Sequence, residues 1–187
     1  MIISLTGFMG CGKSSVGRRL SQLLCCPFMD LDAVIEERSG RSIPEIFSND
    51  GEAAFRDIER DVLTDVLSAT MAVSSRGPLI LSLGGGTVMT PECEAMIHEK
   101  TLCIYLRTSV ETLVSRLSSE TEGRPVLNVI PSEAEESISQ AEALRVRIES
   151  LMARRASTYE RTAHIIIDTD SHTIDSLAEE LSKIIQK

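Results

Sequence analysis

Residues Gly7-Phe8-Met9-Gly10-Cys11-Gly12-Lys13-Ser14 follow the spacing G-x-x-x-x-G-K-[ST], and each residue type in it suits a polyphosphate. Glycines let main-chain amides approach phosphate oxygens where a Cβ would intrude. Lys13 is placed to reach β- and γ-phosphates, and the Ser14 hydroxyl to ligate Mg²⁺. The flanks fit this chemistry. Residues 1–6 form an apolar run that reads as a buried strand, and 13–24 read as a helix with Val16, Leu20, Leu23 and Leu24 at helical spacing. A strand, a glycine loop and a helix N-terminus together make an anion cradle, to which the helix dipole adds partial positive charge. Nucleoside triphosphate binding is therefore expected at Gly10, Cys11, Gly12, Lys13, Ser14 and Ser15.

Other residues offer chemistry with less certainty of purpose. Asp30 and Asp32 close a short second strand two positions apart, where extended geometry sends both side chains the same way. As strand gives way to helix they can diverge, one toward Mg²⁺ through water and the other toward a substrate hydroxyl. Asp32 equally suits the N-cap of a helix starting at Ala33, and the two roles are compatible. Arg56 lies off the apolar stripe of its helix, with Glu59 at i+3 to orient the guanidinium; on spacing alone a solvated surface pair is the ordinary reading. Gly84-Gly85-Gly86 at a strand end is entropically costly unless something approaches the backbone closely, a hinge or plain turn being the alternative.

Residues 119–132 break the periodic pattern and carry Gly123, Pro125 and Pro131. They read as a mobile lid loop that can bring Arg124 to a γ-phosphate, unless that arginine merely solubilises the loop. Arg154 and Arg155 sit on a late helix, where an exposed basic face is the default. Cys11 reads as a small filler, and no chemistry attaches to His98, His164 or His172.

These residues need a scaffold, and the chain alternates strands with helices. Strands are expected at residues 1–6, 27–32, 79–83, 102–106 and 164–168. Helices are expected at 13–24, through 38, at 43–47, 51–68, 92–98, 109–118, 133–160 and 174–185. The alternation implies a three-layer α/β/α fold around a five-stranded parallel sheet. Ligands of such sheets collect at the carboxyl ends of the strands. The phosphate loop, the aspartate pair and the triple glycine should therefore share one side.

The 187 residues suit one domain, and a net charge of −9 opposes a nucleic-acid surface, which needs a basic stripe. No apolar run reaches membrane-spanning length and no secretory leader is evident. Five cysteines without C-x-x-C spacing indicate neither zinc nor a disulfide framework, so the cytoplasm is the expected compartment.

In this order, the phosphate loop, Asp30-Leu31-Asp32, Phe55-Arg56-x-x-Glu59, Gly84-Gly85-Gly86 and Arg124-Pro125 closely resemble the shikimate kinases, from residue 2 to about 168. The resemblance implies the nucleoside-monophosphate-kinase type of P-loop fold, with a substrate-binding subdomain at about 32–62 and a lid at about 119–132. It implies transfer of the γ-phosphate of ATP, with Mg²⁺, to the 3-hydroxyl of shikimate, a step toward chorismate and the aromatic amino acids.

Carried onto this chain, the resemblance has Arg56 and Arg155 holding the substrate carboxylate. Asp32 positions the attacking hydroxyl, as base or as orienting group. Gly84, Gly85 and Gly86 complete the substrate contact, and Asp30 joins Ser14 on the Mg²⁺ side. Lys13 and Arg124 stabilise the transferring phosphoryl group, and Arg116 flanks the adenine. The chain departs from the family in the stretch 129–140, which is acidic and longer than a minimal lid connection, and in two places at the site. Arg155-Ala156-Ser157-Thr158-Tyr159 stands where the family often shows Arg-x-Pro-Leu-Tyr, which leaves Arg154 as the fallback, and 169–172 offer no arginine for the adenine. The expected partners are ATP and shikimate, with no nucleic acid, no membrane and a monomeric chain. A gluconate-type kinase and a non-catalytic nucleotide-binding module are the competing readings.

Overall fold

The computed structural model describes residues 1–72, 77–118 and 139–186. Strand β1 (Ile2–Thr6) is buried along its whole length. That is why it reads as a continuous apolar run: a central parallel strand is covered on both faces. Helix α1 (Lys13–Leu23) follows the glycine loop, then β2 (Phe28–Asp30) and α2 (Leu31–Ser39). Helix α3 (Ile43–Ala72) joins the two helices expected at 43–47 and 51–68 into one run. It is broken only at Gly51, whose φ of 83° and ψ of 173° are not helical. Strand β3 (Leu79–Ser82), a 3₁₀ turn at Thr87–Met89, α4 (Pro91–Lys100), β4 (Leu102–Arg107) and α5 (Val110–Leu117) come next. After the undescribed stretch come α6 (Gln140–Thr162), β5 (Ile165–Asp168) and α7 (Ile174–Ile185).

The five strands form one parallel sheet in the order β2-β3-β1-β4-β5. Neighbouring residues of β1 face opposite layers. Leu5 lies against α1 at Gly17, whereas the Ser4 hydroxyl pairs at 2.7 Å with Thr101 at the end of α4. Helices α1 and α7 pack together on the first side, and α4, α5 and α6 form the second group. The expected three-layer architecture is the one observed. Because β3 and β4 flank β1, the chain leaves the central strand in both directions. The loop after β1 therefore lies at the switch point where such sheets bind ligands.

Candidate active site

The carboxyl ends of β1, β2 and β3 and the inner side of α6 wall a cavity of about 340 Å³. Lys13, Ser14, Asp30, Asp32, Arg56 and Arg155 all line it. A second cavity, of about 510 Å³, lies on the other side of the glycine loop and is lined by Gly10 through Val16, Arg116, Thr169 and His172. Gly10, Lys13 and Ser14 belong to both. Two ligands could thus meet end to end across one lysine and one serine.

The loop itself is built on left-handed backbone. Gly12, at φ 99°, is the N-cap of α1, a conformation L side chains rarely adopt. Its curl leaves Lys13 8% exposed, with the ammonium donating to the carbonyls of Gly7 at 2.9 Å and Phe8 at 3.1 Å. An ammonium has three donors: the loop takes two through carbonyls, and the third meets only the Cys11 sulfur, a weak acceptor that an anion in the cradle would outcompete. Cys11 is buried beside it, its Sγ 3.9 Å from Nζ, as a packing residue would be. Arg116, from α5, donates to the carbonyls of Gly10 and Cys11 at 3.3 Å each, which places it on the wall of the second cavity. Ser15 lines that cavity too. His172, to which no chemistry was attached, and Thr169 stand opposite, where the sequence supplies no arginine.

Asp30 and Asp32 do diverge, but the capping role falls to the other residue. Helix α2 starts at Leu31, and Asp30 is its N-cap, with Oδ1 accepting from the Asp32 amide at 3.2 Å. Its Oδ2 accepts from the Ser14 hydroxyl at 2.6 Å, and Ser82 lies 3.3 Å from the same hydroxyl. This trio offers hard oxygen donors, which fit Mg²⁺. No group of three His, Cys, Asp or Glu gathers among the described residues, so phosphate oxygens and water would complete its shell.

Relieved of capping, Asp32 turns to the cavity. Burial first, then Asp30, with Glu59 and Glu36 behind it, oppose its charge more than Lys13 favours it, and its pKa rises from 3.8 to about 6. A carboxylate in that range is ionised at neutral pH yet basic enough to accept a proton.

The pair Arg56–Glu59 is not the exposed pair that spacing suggests. Glu59 is 1% exposed and the Arg56 side chain 18%, with Nη1 donating to Glu59 Oε2 at 2.7 Å. The other oxygen, Oε1, accepts from the Thr87 hydroxyl at 2.6 Å. Burial alone would lower the Arg56 pKa, but the two carboxylates Glu59 and Glu52 outweigh it and raise the value.

The triple glycine is explained by close approach, and the approaching groups are the protein's own. A Cβ on Gly84 would lie 2.7 Å from Asp32 Oδ1, one on Gly85 3.1 Å from the Met9 amide nitrogen, and one on Gly86 2.6 Å from Arg56 Nη2. Gly85 is also held from α6. Its carbonyl accepts from the Tyr159 hydroxyl and from Arg155 Nη1 at 3.4 Å. Arg155 is 9% exposed and lines the cavity, whereas Arg154 on the same helix is exposed.

Sequence reasoning did not reach Thr87, Tyr159 or Ser82. Only the one-turn spacing from Arg155 to Tyr159, and the place of Thr87 directly after the glycines, hinted at two of them. Arg124 and the expected lid at about 119–132 lie outside the described residues.

A glycine loop at the switch point of a parallel five-stranded sheet, with its lysine shared between two cavities, defines a P-loop phosphotransferase. The family model for shikimate kinase matches residues 9–186. A shikimate kinase of Chlorobium chlorochromatii is 40% identical over 186 residues, covering all of this chain and 91% of that protein. One from Thermus thermophilus is 37% identical over 179 residues, covering 96% and 86%. Among solved structures, shikimate kinase from Acinetobacter baumannii in complex with shikimate superposes with a TM-score of 0.84 at 31% identity, covering 99% of this chain and 92% of that one. The enzyme from Bacteroides thetaiotaomicron gives 0.82 at 27% identity over 100% and 99%. The chain belongs to the shikimate kinase family.

Proposed function

We propose that this protein transfers the γ-phosphate of ATP to the 3-hydroxyl of shikimate. One observation carries the choice of acceptor. Two guanidinium groups from different helices converge on consecutive residues of one loop, Arg56 over Gly86 and Arg155 on the Gly85 carbonyl, in the cavity that also holds Asp32 and Lys13. A small polyhydroxy acid suits such a cavity. Its carboxylate takes the two planar forks, and a hydroxyl reaches Asp32, which lines the same cavity beside Gly84.

The sequence of events follows from that arrangement. Arg56 and Arg155 hold the carboxylate and fix the ring. Asp32, ionised above about pH 6, accepts the hydrogen bond of the attacking hydroxyl and takes its proton as the new O–P bond forms and the bond from the γ-phosphorus to the bridging oxygen breaks, releasing ADP. Lys13 and the α1 N-terminus face the charge that spreads over the transferring group, and the loose transition state of such reactions asks mostly for this kind of positioning. Ser14, with Asp30 through water, would hold Mg²⁺, which when bound would supply positive charge against the phosphates. Arg116, Thr169 and His172 border the nucleobase side of the second cavity. Arg124 is assigned by the family resemblance to the γ-phosphate, on a lid at about 119–132 that shields the reaction from water. Residues 32–62 form the acceptor-binding part of a single kinase domain. The enzyme works as a cytoplasmic monomer; no helix among the described residues is long and apolar enough to cross a membrane.

The test is ADP release from Mg·ATP with shikimate, with gluconate and with no acceptor. Release that depends on shikimate alone is expected. Release with gluconate would overturn the acceptor pocket, and silence with every acceptor despite ATP binding would favour a non-catalytic module.

A further inference from the structure

We infer that Thr87 is a positioning residue for the acceptor: its hydroxyl fixes how Glu59 bonds Arg56, and so where the Arg56 guanidinium points. The inference rests on the reading of Arg56 as a ligand of the acceptor carboxylate. Thr87 is itself 0% exposed, behind the cavity wall, so whatever it does for the acceptor passes through Glu59.

A buried carboxylate facing an arginine has two ways to bond it. Both oxygens can take two parallel N–H groups, or one oxygen can take one. Here the Thr87 hydroxyl occupies Oε1 at 2.6 Å, and Arg56 Nη1 is left to Oε2 at 2.7 Å. The single contact turns the rest of the guanidinium edge away from Glu59. Of its five donors, one more goes to Glu52 at 3.1 Å, whose side chain is 63% exposed. The guanidinium carbon and both terminal nitrogens lie over Gly86, in the cavity wall.

Thr87 is held for this task. Its amide donates to the Gly84 carbonyl at 3.3 Å, and both its Oγ1 and Glu59 Oε1 pack against Gly84 so closely that a Cβ there would sit at 3.0 and 3.1 Å from them. Removing the hydroxyl would strand Oε1 in a dry site. The carboxylate then gains by rotating to take Arg56 with both oxygens, which draws the guanidinium off the acceptor.

The experiment compares Thr87→Val, which keeps the shape, Thr87→Ser, which keeps the hydroxyl, and Thr87→Cys, which keeps a small side chain with a weak donor. KM for shikimate, KM for ATP and kcat are measured for each, together with binding of the methyl ester of shikimate, whose carboxylate charge is masked. Thr87→Val should raise KM for shikimate about tenfold, the scale of a lost buried bond to a charged group. KM for ATP should stay within about twofold, since nothing in the nucleotide cavity changes. Serine should restore the wild-type value and cysteine fall between, a series that stays readable if valine disturbs the fold. The deficit should vanish with the ester. A wild-type KM for shikimate in Thr87→Val and Thr87→Cys, or an equal loss on acid and ester, would overturn the role of Thr87. Wild-type enzyme that ignores shikimate would instead overturn the acceptor reading, and this inference with it.

Discussion

Replacing Asp32 by asparagine separates what this carboxylate costs the fold from what it does for the reaction. Its surroundings oppose its charge, burial most of all, and raise its pKa from 3.8 to about 6. The folded protein thus holds this proton more tightly than the unfolded chain. Between those two values the folded state binds more protons, so stability falls as pH rises through the window, and above it the whole penalty is present. At roughly 1.36 kcal/mol per pH unit, the gap from 3.8 to about 6 corresponds to about 3 kcal/mol. Solvent on the cavity side of a part-exposed group brings the expected effect to about 2 kcal/mol.

Asparagine has nearly the same shape and no charge. Asp32→Asn should therefore be the more stable protein at about pH 7.5, with a melting temperature about 4–8 °C higher for a chain of this size. The advantage should shrink as pH falls through the window and vanish only below about pH 3, where the wild-type side chain is protonated in both states. The same variant should lose about a hundredfold or more in turnover while keeping its affinity for ATP. In the wild type, kcat/KM should fall as pH drops below about 6. Urea melts across that pH range, paired with ADP-release kinetics, read both effects. A variant no more stable than wild type at neutral pH, or an advantage that persists in acid, would refute the electrostatic reasoning. Near-wild-type turnover would remove Asp32 from the proton transfer.

The two late arginines should behave as their burial dictates. Arg155→Ala should raise KM for shikimate by about tenfold or more, while Arg154→Ala leaves it within about twofold, as steady-state kinetics will show. Gly86→Ala would place a methyl 2.6 Å from Arg56 Nη2. Because the obstructed group is the end of a long side chain, the fold should survive, with a melting temperature lower by about 2–4 °C as Glu59 loses part of its partner, while shikimate affinity, read by calorimetry, falls about tenfold.

Much of this protein is written locally. The five strands and the phosphate loop announce themselves through apolar runs, glycine spacing and helical periodicity, all of which depend on residues a few positions apart. Gly84-Gly85-Gly86 signalled that something must come close to the backbone. What came close, the Asp32 carboxylate, the Met9 amide and the Arg56 guanidinium, belongs to three other segments of the chain.

Period and turn chemistry are short-range, so the parallel α/β sheet, the anion cradle and the order of the motifs are legible along the chain. The remainder depends on packing. Spacing left Arg56 and Glu59 as a surface pair, and only the packing of α3 against the glycine loop made them a buried pair tied to Thr87. Capping preference pointed to Asp32 and a helix from Ala33; the cap is Asp30 with the helix from Leu31, and the same carboxylate accepts from Ser14, sixteen positions away. Arg154 and Arg155 are equivalent in sequence, and α6 distinguishes them by turning Arg155 and Tyr159, one helical turn apart, onto the Gly85 carbonyl. Burial and long-range partners are properties of packed surfaces, and no window of neighbouring residues contains them.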